Sequence, residues 1–497
     1  MDVLSQLGVG FAAAATLQNL AYCFAGVFLG TLIGVLPGIG ALAAVSMLLP
    51  LSFHLEPMAG LIMLAGVYYG SEYGGSTSSI LLNIPGTPAN AVTCLDGYPM
   101  AKQGRAGVAL FVTTIASFVG GAVGIIALLM VSPLIVQVAL SFGAEEYFAV
   151  MLLGLVAAAT VADRAPVKGL IMIVVGLLLG TIGSDISSGV PRYTFGNYEL
   201  HSGLSFIVLA MGLFGVSEVI ASIRSSRSRD TRNLDVTLAS MLPTSRDWRG
   251  SMFPMFRGSA VGSIIGALPG AGASIAAFMS YSVEKRIATQ PERFGNGAIE
   301  GIAAPESANN AAAQTSFIPT LSLGIPGSAT MALILGALMM HGIAPGPSLM
   351  DREPQLFWGL IASFWIGNVM LLVLNIPLIG IWTRPLKIPY HLLYPGVIAL
   401  ICIGVFSING SVLDLMVVAV AGVAGYVLRR HGYEPAPLLI GFILGPLMEE
   451  NFRRALVISG GDLTTFIARP FSLVILGATV VLLVLAFLPS LRVRRNA

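Results

Sequence analysis

Two stretches of the chain concentrate side chains that bind small ions. The first is YYGSEYGGSTSSILLNIPGTPAN, residues 68–90, and the second is APESANNAAAQTSFIPTLSLGIPGSAT, residues 304–330. Both are dense in Ser, Thr, Asn and Gly within apolar surroundings, and each contains one glutamate, Glu72 or Glu306. Hydroxyls, amide oxygens and unwound carbonyls suit an alkali cation, whereas hydroxyls and amide N–H groups suit a carboxylate.

The two glutamates are candidate functional groups because a carboxylate inside a membrane is costly and is usually kept for a purpose. The alternatives are that Glu72 and Glu306 lie in water at helix ends, or that each pairs with a nearby lysine or arginine. The Ser and Asn clusters also have an alternative role, since such side chains hydrogen-bond neighbouring membrane helices to each other.

Each polar stretch follows a copy of a second repeated sequence. GVFLGTLIGVLPGIGA spans residues 26–41 and GSAVGSIIGALPGAGA spans residues 258–273. Glycine recurs at every fourth position in both copies, which on a helix forms a narrow face that another backbone can approach closely. The closing NIPGT and GIPGS of the polar stretches resemble each other as well. The chain is therefore interpreted as two related halves.

The spacing within the two halves differs. Pro37 and Pro85 are 48 positions apart, whereas Pro269 and Pro326 are 57 positions apart. An insertion must therefore be allowed within the longer interval, that of the second half.

The Leu-Pro-Gly-x-Gly that ends each copy predicts a break in a membrane helix. Proline and nearby glycines free backbone N–H and C=O groups, and in a bilayer such groups are tolerated only where protein or a water-filled cavity satisfies them. Helices that restart at Ala41 and Ala273 would point their N-termini at that cavity. A helix N-terminus carries about half a positive charge and unpaired donors, so two of them would form an anion site.

The composition predicts an all-α polytopic membrane protein. Only 10% of the 497 residues are charged and 56% are hydrophobic, whereas soluble domains carry about 25% charged residues. Apolar stretches long enough for a bilayer predict about ten to twelve crossings, together with re-entrant or broken helices. The net charge of +2 and the lack of a basic stripe with interleaved aromatics do not indicate nucleic-acid binding.

A polar segment divides the two halves. It contains seven arginines: Arg224, Arg227, Arg229, Arg232, Arg246, Arg249 and Arg257. Basic loops stay in the cytoplasm, so we expect this linker and the C-terminal LRVRRNA to be cytoplasmic. The N-terminal region is poor in charge, which permits an outer location for the first copy. The predicted domains are half 1 (1–223), the linker (224–257) and half 2 (258–497), with the halves inserted as inverted repeats. A parallel duplication is the alternative.

Catalytic chemistry is not predicted. The three cysteines and five histidines are scattered, without the spacing of a metal site or a nucleophile–base pair. We therefore expect no enzymatic activity and no cofactor. Other charged residues near predicted span ends, including Glu218 and Glu449, are given no role because solvation is their ordinary state.

The quoted motifs resemble one known family. GVLPGIGA, the stretch after Tyr68 and PESANNAAAQTSFIPTLSLGIPGS are similar to the large membrane subunit of the tripartite tricarboxylate transporters, over essentially the whole chain. The resemblance implies a secondary transporter of a bacterial inner membrane that imports citrate or related di- or tricarboxylates by symport with sodium or protons. It also implies a periplasmic solute-binding protein and a small membrane subunit as partners. A homodimer is a further candidate assembly.

The candidate site combines residues of both halves, with alternating access around it. The substrate-binding candidates are Gly38, Gly40, Ser76, Thr77, Pro85, Gly86, Thr87, Gly270, Gly272, Ser274, Pro326, Gly327 and Ser328. The coupling-ion candidates, at which Na⁺ is the candidate metal, are Asn83, Glu72, Glu306, Ser307, Asn309 and Asn310. A passive anion channel with a duplicated pore is the alternative function. An intramembrane hydrolase is a third, which lacks a recognisable set of catalytic residues.

Overall fold

A computed structural model describes residues 3–36, 38–161, 166–185, 188–224, 236–382, 384–387 and 390–493. These residues are 80% helical with almost no strands, which confirms the predicted all-α polytopic fold. The helices of the first half are α1 (Val3–Ala14), α2 (Leu17–Val35), α3 (Gly40–Phe53), α4 (Pro57–Leu82), α5 (Thr93–Lys102), α6 (Ala106–Ala139), α7 (Ala144–Val161), α8 (Pro166–Gly180), α9 (Phe206–Ala210) and α10 (Ser217–Arg224). A π-helical turn, Met211–Val216, joins α9 to α10.

The series continues with the helices of the second half, the first of which begins within the predicted linker. Its helices are α11 (Ser245–Gly266), α12 (Gly272–Ile287), α13 (Glu300–Thr315), α14 (Phe317–Leu323), α15 (Ala329–Met340), α16 (Leu349–Arg352), α17 (Pro354–Asn375), α18 (Ile379–Trp382), α19 (Tyr390–Asn409), α20 (Val412–Arg430), α21 (Pro435–Ile458), α22 (Thr465–Ala468) and α23 (Pro470–Val493). Two short antiparallel strands, β1 (Gly183–Ser184) and β2 (Pro191–Arg192), pair between α8 and α9.

Among the described residues, six helical segments are long and apolar enough to cross a membrane. They are Leu17–Val35, Ala106–Ala139, Phe206–Ile223, Pro354–Asn375, Val412–Arg430 and Pro470–Phe487. Four shorter apolar helices accompany them, Gly40–Phe53, Pro166–Gly180, Ala329–Met340 and Tyr394–Asn409. The chain is thus a multi-pass membrane protein, and the total of ten to twelve crossings stays a prediction.

The glycine face of α2 packs directly against α4. A methyl group at Gly26 would lie 2.3 Å from the Met63 carbonyl oxygen, and one at Gly34 would lie 2.2 Å from that of Ser71. Gly30 faces Val67 in the same way. Since contacts on both helices advance together by four residues, α2 and α4 run parallel.

The same arrangement occurs between α11 and α13. Methyl groups at Gly258 and Gly262 would lie 2.2 Å and 2.1 Å from the carbonyl oxygens of Ala304 and Ala308. Gly266 meets Ala312 at 2.4 Å. The first three glycines of each repeat therefore act in helix packing, as their spacing indicates.

Both broken helices turn back on themselves. In the first hairpin, α2–α3, the start of α3 at Gly40 lies beside Gly86, while its end at Ser52 lies beside Gly60 at the start of α4. Because α3 runs antiparallel to α4, it also runs antiparallel to α2.

In the second hairpin, α11–α12, Arg257 of α11 forms an ion pair with Glu284 of α12 at 2.7 Å. A Cβ atom added to Gly272, at the start of α12, would lie 3.8 Å from the Cβ of Ser328. These contacts place the start of α12 at the tip and its end back beside α11. Both hairpins thus have the shape that the predicted re-entrant segments require.

The helices that carry the polar stretches run in opposite directions. Ser76, near the end of α4, donates a hydrogen bond to Glu306, near the start of α13. Tyr68, two turns earlier on α4, interacts with Ser316, which follows the end of α13. This antiparallel course is the one that an inverted duplication requires. It supports our interpretation of the halves as inverted repeats, which stays a prediction.

The insertion expected in the second half falls in one connection. Residues 54–56 join α3 to α4, whereas residues 288–299 join α12 to α13. The linker residues 225–235 and the basic tail 494–497 lie outside the described residues, and Pro37 does as well.

Candidate functional site

The two hairpin tips face a common cavity of about 550 Å³. It is lined by residues 38–43 of the first tip and by Gly270, Gly272, Ala273 and Ser274 of the second. The turns that follow the polar stretches complete it, with Pro85–Ala89 on one side and Ser328–Thr330 on the other. A cavity of this size holds a small organic ligand.

The tip glycines adopt the same unusual backbone conformation twice. The φ angles of Gly38 and Gly40 are 88° and 71°, and those of Gly270 and Gly272 are 83° and 64°. Residues with a side chain rarely adopt such angles. The repeated glycines are therefore required by the turn itself.

The turns expose two helix N-termini to the cavity. The residues before α3 and α12, Ile39 and Ala271, make no side-chain capping hydrogen bond. Within the described residues no side chain therefore caps the first N–H groups of these helices, which carry the positive end of the helix dipole. By contrast, Ser328 caps α15 by accepting a hydrogen bond from Met331 N at 3.2 Å.

Glu72 and Glu306 lie in one buried polar cluster. Their exposed fractions are 4% and 1%, so neither is solvated at a helix end. Glu306 accepts hydrogen bonds from Ser76 Oγ at 2.7 Å, from Asn90 Nδ2 at 3.1 Å and from the Thr93 hydroxyl. Within the described residues neither carboxylate has an ion-pair partner. The sequence alternatives of solvation and ion pairing are thus not what the structure shows.

The cluster borders the cavity through Glu72. This glutamate lines the cavity wall, and Thr87 Oγ1 lies 2.8 Å from its Oε2. Glu306 lies behind that wall. In the alignment of the halves that pairs Asn83 with Gly324, Glu72 corresponds to Ala313, so the two glutamates are not equivalent positions.

Asn309 is the most unusual polar residue near this cluster. It is 1% exposed, and both its Oδ1 and its Nδ2 lack a hydrogen-bond partner in the described part of the chain. Its side chain nonetheless lies beside the Glu72 carboxylate, near hydrogen-bonding range. A buried amide with both ends unpaired needs an explanation, and a bound ion or water is one of the few available.

The structure brings most of the predicted site residues together. Ten of them line the cavity: Gly38, Gly40, Glu72, Pro85, Gly86, Thr87, Gly270, Gly272, Ser274 and Ser328. Ser76 and Glu306 belong to the cluster behind it. Gly327 supports the second tip, because its carbonyl oxygen accepts a hydrogen bond from Gly270 N at 3.0 Å.

Five predicted residues lie elsewhere. Asn83 is exposed and forms the left-handed cap at the end of α4. Ser307 packs between α6 and α11, Asn310 hydrogen-bonds to the carbonyl of Glu306 within its own helix, and Thr77 and Pro326 do not line the cavity. Asn83 and Ser307 were assigned to the coupling ion because of residue type alone, and backbone capping and helix packing account for them.

Sequence reasoning missed one charged group of the cavity wall. Glu218 of α10, Arg429 of α20 and Glu434 line the cavity, and Arg429 forms an ion pair with Glu218. The buried Nε of Arg429 has no hydrogen-bond partner in the described residues. Asn90 and Thr93 were missed as well, although Asn90 closes the first polar stretch. Only the fold brings these segments to the cavity or to the polar cluster behind it.

Comparison with known proteins agrees with the motif resemblance. The chain matches the model of the tripartite tricarboxylate transporter TctA family over residues 20–440. It is 50% identical over 499 residues to the uncharacterized 52.8 kDa protein in the TAR-I ttuC' 3' region of Agrobacterium vitis, covering 100% of this chain and 98% of that protein. A protein in the TAR-II ttuC' 3' region of the same organism is 55% identical over 235 residues, which cover 47% of this chain and 97% of the relative. No solved structure matches the chain.

Proposed function

The chain belongs to the tripartite tricarboxylate transporter TctA family, and from that premise we propose that it imports citrate or a related di- or tricarboxylate by symport with sodium or protons. Family membership makes it a subunit of a tripartite secondary transporter with partner subunits. In our proposal the partners are a periplasmic solute-binding protein and a small membrane subunit, in the bacterial inner membrane, with the linker and C-terminus cytoplasmic.

The observation that carries the proposal is the meeting of two re-entrant tips, one from each half, at one cavity. In this proposal one substrate carboxylate accepts hydrogen bonds from the N–H groups at the start of α3, and another from those at the start of α12. Gly40 and Gly272 keep both approaches free of side chains. Two opposed hairpins around one site also suit alternating access, because movement of either hairpin opens one side.

The charges of the cavity wall support cation coupling. Three carboxylates, those of Glu72, Glu218 and Glu434, line the cavity together with the single guanidinium of Arg429 among its described lining residues. A di- or trianion entering such a space without compensation would meet repulsion and a large desolvation penalty. Cations that enter with the substrate offset both the repulsion and the desolvation penalty. We therefore propose symport instead of a passive channel.

We propose Glu72 and Asn309 as the ligands of the coupling ion, with Glu306 as the buried charge behind them. The unpaired Asn309 Oδ1 and the Glu72 carboxylate supply oxygens that Na⁺ prefers. If the coupling ion is a proton, the same carboxylates receive it. In the described part of the chain no group of three or more His, Cys, Asp or Glu side chains could hold a metal ion.

Arg429 contributes a further anion-binding group in this proposal. Its guanidinium is held by Glu218 and stacks at 5.9 Å from the Phe214 ring, while its Nε remains without a partner. A substrate carboxylate that reaches the cavity mouth can exchange with Glu218 on this guanidinium.

The test uses proteoliposomes that contain both membrane subunits, with purified binding protein and radiolabelled citrate outside. Uphill accumulation under an imposed sodium or pH gradient is expected, and accumulation that needs no gradient and no binding protein would instead establish the channel. Gly40→Ala and Gly272→Ala should each lower the initial uptake rate at least tenfold. Gly104→Ala is the matched control, because Gly104 has a φ of 77° and open space around it but lies outside the cavity lining. Normal uptake by both tip variants would place the site elsewhere.

A further inference from the structure

Two adjoining cavities lie at the base of the second hairpin, away from the candidate substrate site. One, of about 570 Å³, is lined by Arg105, Arg246, Asp247 and other residues at the start of α11. The other, of about 280 Å³, continues along α11 to Arg257 and Glu284. The two share Arg249, Gly250, Arg293 and Glu300. Together they form one groove, which we call the basic groove.

The basic groove carries more cations than its acids neutralise. Three of its arginines are paired: Arg105 with Asp247 at 2.5 Å, Arg257 with Glu284 at 2.7 Å and Arg293 with Glu300 at 3.2 Å. Arg246 and Arg249 are exposed and have no ion-pair partner among the described residues. Two guanidinium groups three residues apart on one helix thus remain available to an anion.

Next to these arginines α11 presents an apolar stripe. Exposed apolar side chains recur along α11 at Trp248, Met252, Phe256 and Ile264, with exposed fractions between 39% and 67%. The spacing of four or eight residues is helical, and these positions are separate from the glycines that pack on α13. In a multi-pass membrane protein such a stripe faces acyl chains, and a tryptophan at its polar end marks the interface. The basic groove therefore lies at the membrane boundary.

We propose that the basic groove binds the headgroup of an anionic phospholipid. The phosphate contacts Arg246 and Arg249, whose planar guanidinium groups suit bidentate phosphate binding. The acyl chains follow the stripe below Trp248. A phospholipid fits better than a soluble anion, because charge and apolar surface are continuous on the same helix. This site does not depend on the identity of the transported substrate.

The bound lipid steadies the base of the second hairpin. Phosphate contacts at Arg246 and Arg249 hold the start of α11, and the tip of the same hairpin carries Gly270 and Gly272. The first hairpin begins at Leu17 after Thr16 and has no basic residue in α2. The lipid site is therefore found at the second hairpin and not at the first.

The experiment titrates delipidated full-length protein in detergent and follows its thermal unfolding midpoint. Phosphatidylglycerol should raise the midpoint, whereas phosphatidylcholine and inorganic phosphate should not. The Arg246→Gln/Arg249→Gln variant should need at least tenfold more phosphatidylglycerol for half of the shift. Arg352→Gln/Arg430→Gln is the matched control, because both residues are exposed and form no ion pair in the described residues. Its titration should match the wild type.

The outcomes are distinguishable. An equal shift with inorganic phosphate would assign the groove to a soluble anion and overturn the lipid proposal. An unchanged titration of the Gln variant, with loss of the small membrane subunit on copurification, would assign the groove to that protein instead. If the Gln variant does not fold, Arg246→Lys/Arg249→Lys replaces it, because lysine keeps the charge but lacks the planar guanidinium group. It should weaken retention of phosphatidylglycerol in native mass spectrometry, and full retention would contradict the proposal.

Discussion

The two hairpins, α2–α3 and α11–α12, have similar tips and packing faces but differ at their bases. The tips repeat the same pair of left-handed glycines, and both packing faces bring helix backbones so close that no methyl group fits. At the base of the first hairpin, residues 54–56 join α3 to α4. At the base of the second, the longer connection 288–299 joins α12 to α13.

The longer connection of the second hairpin is used to bind the first half. Asp96 of α5 accepts hydrogen bonds from the backbone N–H groups of Gly295, Gly297 and Ala298, at 2.9, 2.8 and 2.8 Å. The Tyr281 hydroxyl donates to the same carboxylate at 3.0 Å. The tips are alike because both meet one cavity, and the bases differ because each meets a different environment.

The largest expected effect tests whether the two packing faces are equivalent. Gly30→Ala would place a methyl group 2.5 Å from the Val67 carbonyl oxygen, and Gly262→Ala one 2.1 Å from that of Ala308. Each should destabilise the protein by about 3 kcal/mol or more, because backbones cannot move aside as flexible side chains do. Thermal midpoints and monodisperse yield measure the effect. Gly477→Ala, with nothing within 4 Å, is the control. If only one of the two substitutions is tolerated, the two packing faces are not equivalent.

The second prediction concerns the base of the second hairpin. Asp96→Asn removes a charged acceptor of three backbone N–H groups, which should cost about 2 kcal/mol. Hydrogen–deuterium exchange should speed up in residues 288–299 and stay unchanged in 54–56. Asp414→Asn, at the start of α20, is the control and should leave both connections as they are. Equal acceleration in both connections would contradict the difference between the bases.

A smaller effect is expected at the two helix ends that precede the IPG turns. Asn83 (φ 56°) and Gly324 (φ 72°) occupy the same left-handed position. Gly324→Ala should cost about 1 kcal/mol, since alanine is disfavoured there. Asn83→Gly should be neutral or slightly stabilising, because glycine accepts the conformation without strain. Chemical denaturation in mild detergent compares the pair, and a large loss in Asn83→Gly would show that this side chain does more than cap α4.

The smallest effect is a pH dependence limited to the second hairpin. Partial desolvation of Asp247 is outweighed by hydrogen bonds from Thr244 and Arg105, which hold the pKa of this carboxyl below its ordinary value. The contribution of the ionised Asp247 to folding stability is fully present above its unfolded-state pKa. It is lost as the pH falls through the lower folded-state pKa. Acid exchange experiments should show the start of α11 loosening below about pH 4, by less than about 1 kcal/mol. Asp247→Asn should remove this pH dependence, while the start of α2 shows none in either protein.

Local motifs predicted the tips well, and the surrounding site less well. A Pro-Gly break acts within a few residues, so Gly38, Gly40, Gly270 and Gly272 could be located from sequence. The length of the expected insertion could also be obtained from the difference in proline spacing between the halves. Asn83 and Ser307 lie outside the cavity lining, which could not be foreseen because residue type does not reveal which way a side chain points on its helix.

The amino-acid sequence by itself determined the membrane class, the repeated broken helices and the glycine packing faces, because these follow from composition and short-range backbone chemistry. Only the tertiary structure decided that Glu72 and Glu306 share one buried cluster, and that Arg429 and Glu218 reach the cavity. These groups come from segments hundreds of residues apart. Their meeting depends on helix directions and on one long connection, neither of which any local pattern encodes.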